Sequence, residues 1–271
     1  MKTITLINAK GGCGKSTLAM NLAAALAGRG HSTLLIDMDP QAQITQWLGA
    51  GDGLTNAGTL VAAMTGQATL PQVVQSTPID NLSFVPSAIG LEDVGRRITD
   101  SDQYETLLGQ LLSQEGMPTF NFCVIDSPNQ VSPIMENAIL PTDLFILPFE
   151  GTQAVRSYAN FYKLLLKLRG SSDYKALHVL NRLSHDEGLR QAVLEAMESE
   201  GLTPARTEIR TDGWLARVPE HGGSIFNYRP ESDGAVDMAA LAGEMLELLN
   251  TAEVPPDLQP VEPSSSASIP L

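Results

Sequence analysis

The chain has 271 residues, 43% of them hydrophobic, enough to bury a full core as one large α/β domain. Its formal net charge of −14 at pH 7 argues against a surface that coats nucleic acid on every side and leaves room for a local basic face, the alternative being ordinary solvated helix faces. Eleven of the 17 Lys and Arg residues lie between Arg156 and Arg229 and none follows, which puts such a face in the second half of the domain.

In chain order, short apolar or β-branched runs alternate with helix-like stretches. Thr3 to Asn8 reads as a strand, Lys15 to Gly28 as a helix, and Ser32 to Ile36, Phe122 to Ile125, Leu144 to Leu147 and Ala176 to Leu180 as further strands. Alternation of this kind predicts a doubly wound, mostly parallel sheet with helices on both faces. The runs Cys123-Val124-Ile125 and Phe145-Ile146-Leu147 have no polar alternate face, as central strands require. Gly49 to Gln67 reads as a loop with a short helix above the ligand site. Gln153 to Leu168 and Gly234 to Leu249 read as amphipathic helices, the second with Ala235, Met238, Leu241, Met245 and Leu248 at helical spacing. These divide the chain into a domain over 1–250 and a tail over 251–271, whose five prolines and Ser264 to Ser266 run predict disorder.

No apolar stretch approaches the roughly 20 residues of a membrane span. The opening Met-Lys-Thr-Ile lacks a cationic region followed by an apolar run, and Cys13 and Cys123 are far apart, so a cytoplasmic protein is expected. His31, His178, His185 and His221 show no metal-ligand spacing.

The strongest chemical signal is Lys10-Gly11-Gly12-Cys13-Gly14-Lys15-Ser16-Thr17, between the first strand and the first helix. A loop that curls its backbone N–H groups around a polyphosphate must visit positive φ and tolerate close approach, hence Gly11, Gly12 and Gly14. The helix N-terminus adds its positive end. Lys15 is placed to reach the β- and γ-phosphates, Ser16 to offer its hydroxyl to Mg²⁺, and Thr17 to sit at the α-phosphate. Asp37 and Asp39 follow the second strand and Asp126 closes the Phe122 run, so hard oxygen ligands for Mg²⁺ gather at the C-terminal edge of the sheet.

This loop resembles the deviant Walker A motif of the ParA/MinD ATPase superfamily, and Asp37-Met38-Asp39-Pro40-Gln41 resembles the second motif of its ParA branch. Pro219-Glu220-His221-Gly222 and Ser232-Asp233-Gly234-Ala235 are similar to ParA and Soj sequences. The resemblance spans roughly residues 1 to 250. It implies ATP and Mg²⁺ as ligands and an ATP-sandwich homodimer in which Lys10 crosses to the phosphates of the other subunit. It also implies that Asp39 orients or activates the attacking water, that Asp37 supports the magnesium, that Asp126 is the Walker B aspartate and that Asn181 reads the adenine edge. A ParB-like adaptor and nonspecific nucleoid DNA are the implied partners, and the acidic surface suits an adaptor segment rich in Lys and Arg.

The sequence departs from the family in places. Asp126-Ser127-Pro128-Asn129 replaces the usual Asp-Thr/Cys-Pro-Pro, Arg210 stands where many relatives have proline, and Trp214 stands where Soj-like sequences tend to carry a basic residue. Arg206, Arg210 and Arg217 are the candidate DNA-phosphate contacts, against the alternative of a mixed-charge surface with Glu208 and Asp212 interleaved. Residues 230–271 hold no Lys or Arg, which argues against a MinD-like membrane-binding tail. Two other classes stand beside the partitioning reading: a dethiobiotin or cobyrinate diamide synthase-like ATP-dependent enzyme, whose members generally lack the Lys10 equivalent, and an ATP-gated scaffold without DNA binding.

Overall fold

The computed structural model describes residues 1–49, 55–99, 104–183 and 185–249. The predicted tail at 251–271 and part of the predicted loop at 49–67 lie outside these residues. Among the described residues no helix is long and apolar enough to cross a membrane.

Among the described residues seven strands form one sheet: β1 (Lys2–Leu6), β2 (Thr33–Asp37), β3 (Gln75–Ser76), β4 (Leu82–Val85), β5 (Phe122–Asp126), β6 (Leu144–Phe149) and β7 (Lys175–Leu180), in the spatial order β3-β4-β2-β5-β1-β6-β7. All pairs are parallel except β3 with β4. This is the doubly wound sheet expected from the alternation of strand and helix. Sequence patterning singled out neither β3 nor β4, which are too short for a period-2 pattern to stand out.

Helix α1 (Lys15–Gly28) begins at Gly14 and buries eleven of its 14 residues, so its Ala-rich sequence serves close packing rather than one amphipathic face. It lies against β1 and β5 and against the helix Asp233–Leu248, whose Ala235, Met238, Leu241 and Met245 are fully buried in the same core. Arg29 Nη2 donates to the Ala239 carbonyl of that helix at 2.9 Å, and Asn21 Oδ1 accepts from Ile225 N, at the start of the short helix Ile225–Tyr228, at 2.8 Å. The opposite face of the sheet is covered by short helices, including Leu60–Met64, Leu91–Ile98 and Pro133–Ile139.

Two expectations change in the structure. The stretch expected as one helix over 153–168 is two helices, Thr152–Arg156 and Tyr158–Arg169. At the break, Ser157 Oγ donates to Asn8 Oδ1 at 2.5 Å and stands 2.7 Å from the Ala154 carbonyl, competing with the helical ladder. The short helix expected above the ligand site is Leu60–Met64, and all five of its residues are buried against β2 and β4. It is a core element and not a cover, because Leu60, Val61 and Met64 have apolar surface to bury.

Candidate functional site

Strand register brings the acidic residues together. Across the parallel ladder Leu6 is opposite Asp126, and Asp126 is opposite Asp37, so the ends of β1, β5 and β2 meet where the glycine loop leaves the sheet. Successive parallel strands are about 5 Å apart, which places both carboxylates beside the start of α1.

Two of the three loop glycines have the positive φ expected of them, and Gly11 does not. Gly12 and Gly14 have φ of 78° and 93°, and a Cβ on Gly14 would stand 2.5 Å from Asn181 Nδ2. That amide donates to the Cys13 carbonyl at 2.8 Å, so Asn181 holds the loop from beneath and is itself buried. Cys13 Sγ donates to the Lys10 carbonyl at 3.2 Å, and burial pushes its thiol pKa up, which makes it a loop filler rather than a nucleophile. Lys15 is 6% exposed and lines, with Gly12, Gly14, Ser16 and Thr17, a cleft of about 390 Å³ whose far wall carries Asp39, Gln41 and Asn129. A second hollow beyond Thr17 is lined by Asn181, Arg182, Arg210 and the 211–216 loop. Together they offer a polar cleft for phosphates adjoining a more apolar one for a base.

Asp37 is fully buried and accepts from Thr45 N at 3.0 Å, Thr45 Oγ1 at 2.8 Å and Asp39 N at 3.1 Å. Burial still pushes its pKa up, against those bonds. Asp39 is 8% exposed at the cleft wall, and its Oδ1 accepts from Gln41 N at 2.9 Å. Asp126 is the outlier: both carboxylate oxygens are buried with no hydrogen-bond partner among the described residues. Burial first, and the neighbouring Asp37 charge second, push its pKa well up, while Ser16 and Lys15 nearby pull the other way.

A buried carboxylate left without donors is costly unless a cation offsets it. The donor set of Asp126, Asp37 and the Ser16 hydroxyl is hard oxygen, and it fits Mg²⁺ held through phosphate and water. Among the described residues no group of three or more His, Cys, Asp and Glu forms a metal cage.

Lys10 does not point into free solvent. Its Nζ pairs with Glu150 just beyond β6, and Glu150 pairs in turn with Arg182 just beyond β7. Arg182 Nη2 also donates to the Gly12 carbonyl. Sequence reasoning singles out neither Glu150 nor Arg182, whereas Asn129, a departure from the family motif, lines the cleft. Glu150 stands one residue after a strand at the same edge as the aspartates, which is the signal that could have found it.

The proposed DNA contacts fare unevenly. Arg210 is clamped by Asp237, with Nε to the two oxygens at 3.1 and 3.0 Å and Nη2 at 2.7 Å, and its Nη1 is 2.8 Å from Asp233. Arg206 pairs with Glu247, while Glu244 accepts from its backbone N at 2.8 Å. Both guanidinium charges are therefore offset by carboxylates, which raise their pKa. Arg217 is the less engaged of the three, 4.0 Å from Glu220 and 5.5 Å from the Trp214 ring centroid, a ring that Arg229 covers at 4.2 Å.

Residues 1–173 match the family described as AAA domain. The chromosome-partitioning ATPase Soj of Treponema pallidum is 28% identical over 250 residues, covering 90% of this chain and 97% of Soj. Among solved structures, the ATP complex of a McdA variant from Cyanothece superposes with a TM-score of 0.80 at 23% identity, covering 94% of this chain and 98% of McdA. The cobyrinic acid a,c-diamide synthase of Mycobacterium smegmatis, with an ATP analogue and magnesium, gives 0.77 at 21% identity over 94% and 98%. The structural likenesses are of fold, and the full-length sequence relatives select the branch. The chain belongs to the AAA domain family and, within it, to the ParA/Soj branch of the ParA/MinD superfamily of ATPases.

Proposed function

We propose that this chain is a ParA-type partitioning ATPase that binds Mg-ATP at the glycine loop, closes as an ATP-sandwich dimer and positions a cellular cargo. The observation that carries the reading is the placement of Lys15, Ser16, Asp37, Asp39 and Asp126 on one sheet edge, with the Asp126 oxygens buried and unpartnered.

In this reading the amides of Gly11 to Lys15 cradle the phosphates, and Lys15 offsets their charge. Thr17 sits at the α-phosphate. Asn181 borders the base hollow, where it reads the adenine edge, while one N–H of its Nδ2 supports the loop at the Cys13 carbonyl. Ser16, Asp37 and Asp126 would hold Mg²⁺, which would supply charge neutralisation for the phosphates. Asp39, at the cleft wall, orients the attacking water and accepts its proton. Lys10 reaches the phosphates of a second copy. Support for that second copy comes from Ile89 and Val131, which stand 80% and 53% exposed in loops at the same sheet edge and would be covered by it.

The cycle follows from these parts. ATP closes the dimer, a ParB-like adaptor presenting a Lys- and Arg-rich segment stimulates hydrolysis, and the dimer opens. A cytoplasmic protein that is nucleoid-associated when ATP-bound would bind DNA through Arg217 and Arg229 rather than through Arg206 and Arg210. The carboxylate pairing of those two arginines favours a second reading, an ATP-gated scaffold that positions its partner without DNA. Binding of the purified protein to random-sequence duplex with ATP, ADP or no nucleotide, at two salt concentrations and with oligomeric state recorded, tests the choice. Salt-sensitive binding by an ATP-dependent dimer supports partitioning on DNA. A dimer that ignores DNA supports the scaffold, and a monomer indifferent to ATP refutes both.

A further inference from the structure

We propose that Glu150 is a positioning residue that clasps Lys10 within its own subunit and releases it only to a competing phosphate, so that dimer closure responds to the γ-phosphate. The part concerning closure rests on the dimer reading above; the clasp itself does not.

Glu150 is placed to do this by three backbone features. It directly follows β6, the strand beside β1, so its carboxylate stands next to the entrance of the glycine loop. Asn8 ties the two strands at that point, donating to the Pro148 carbonyl at 3.0 Å and accepting from Lys10 N at 2.8 Å. Arg182 follows β7 with φ of 60°, a conformation that turns its side chain back over the loop to Glu150 and the Gly12 carbonyl. One carboxylate, 17% exposed, thus serves two cations that are 29% and 44% exposed.

The chemistry of exchange follows from that stoichiometry. Arg182 lines both the phosphate cleft and the base hollow, so an arriving nucleotide offers it a second anion. Lys10 leaves Glu150 only for an anion of comparable charge density. A terminal phosphate supplies one, and a diphosphate, ending short of that point, leaves the clasp closed. Glu150 then remains paired to Arg182, which avoids stranding a half-buried carboxylate when Lys10 departs.

The test reads Lys10 directly. The full chain and Glu150→Gln are briefly acylated with an amine reagent without nucleotide, and Lys10 modification is measured by mass spectrometry against exposed Lys163. Removing the carboxylate should raise Lys10 modification about fivefold, the scale of one partly exposed ion pair, and Glu150→Asp should restore part of the protection. In the unaltered chain, raising salt from about 0.05 M to about 1 M should also raise Lys10 modification relative to Lys163, since screening weakens the pair; this arm holds even if the variants fold poorly. Unchanged Lys10 modification in the variant, or no salt response in the unaltered chain, overturns the clasp. ATP titration of the dimer completes the test: Glu150→Gln should close at about fivefold lower ATP. Raised Lys10 modification with no dimer in either protein would leave the clasp standing and refute the dimer reading.

Discussion

Two cationic regions of this molecule have similar sequence appearance and opposite structural fates. At the sheet edge, Lys15 lines a cleft, and the Asp126 oxygens there have no hydrogen-bond partner among the described residues. In the segment from Arg206 to Arg229, the local density of arginine suggested a phosphate-binding face, but Arg206 and Arg210 are each paired to carboxylates of the helix Asp233–Leu248. The comparison teaches that cation density in sequence measures neither free charge nor function. What matters is whether the fold brings a carboxylate from elsewhere within hydrogen-bond distance.

The sharpest way to break this comparison is at Asp39. Asp39→Ala should keep ATP binding and lower turnover by about 10²-fold or more, the range of a lost general base, in a single-turnover assay. An unchanged rate would remove Asp39 from the proposed chemistry. Lys10→Ala should impair ATP-dependent dimerisation far more than nucleotide affinity, measured by light scattering beside a nucleotide titration. Equal losses would assign Lys10 to the loop of its own subunit.

Gly14→Ala tests the loop itself. The added Cβ meets Asn181 Nδ2 at 2.5 Å in a backbone at φ 93°, which should cost about 1–3 kcal/mol in denaturant unfolding and weaken nucleotide binding. The smallest effects test the arginines. Arg210→Ala should lower the denaturant midpoint of unfolding, because Asp237, 11% exposed, loses the guanidinium and keeps the bond from the residue 210 backbone N, and should leave the salt dependence of any DNA binding unchanged. Arg217→Ala should spare stability and lower the log–log salt slope of that binding by about 1. The reverse pattern would return Arg210 to the DNA-contacting face and assign Arg217 a structural role.

Much of the site was legible because its parts are local. The strand, glycine loop and helix over residues 2–28 are contiguous, and positive φ at Gly12 and Gly14 is a demand that the sequence states openly. Asp37, Asp39 and Asp126 were legible because parallel strands all deliver their C-terminal ends to one edge, whatever the sheet order. The Lys10–Glu150–Arg182 clasp was not legible: its members are 140 and 32 residues apart, and no periodicity links them. The bond from the Asn181 amide to the Cys13 carbonyl was not legible either, since it exists only once the loop passes over the end of β7. The helix at 60–64 was misplaced for the same reason, since burial depends on which neighbours arrive.

The sequence by itself determined the doubly wound sheet, the phosphate-binding loop and the row of acidic strand ends, because backbone conformation and strand polarity follow from local residue choice. Only the tertiary structure decided which charges are spent and which are free. Ion pairs such as Arg210 with Asp237 and Lys10 with Glu150 depend on distances set by the packing of elements far apart in the chain, and electrostatic energy depends on those distances and on burial rather than on order along the sequence.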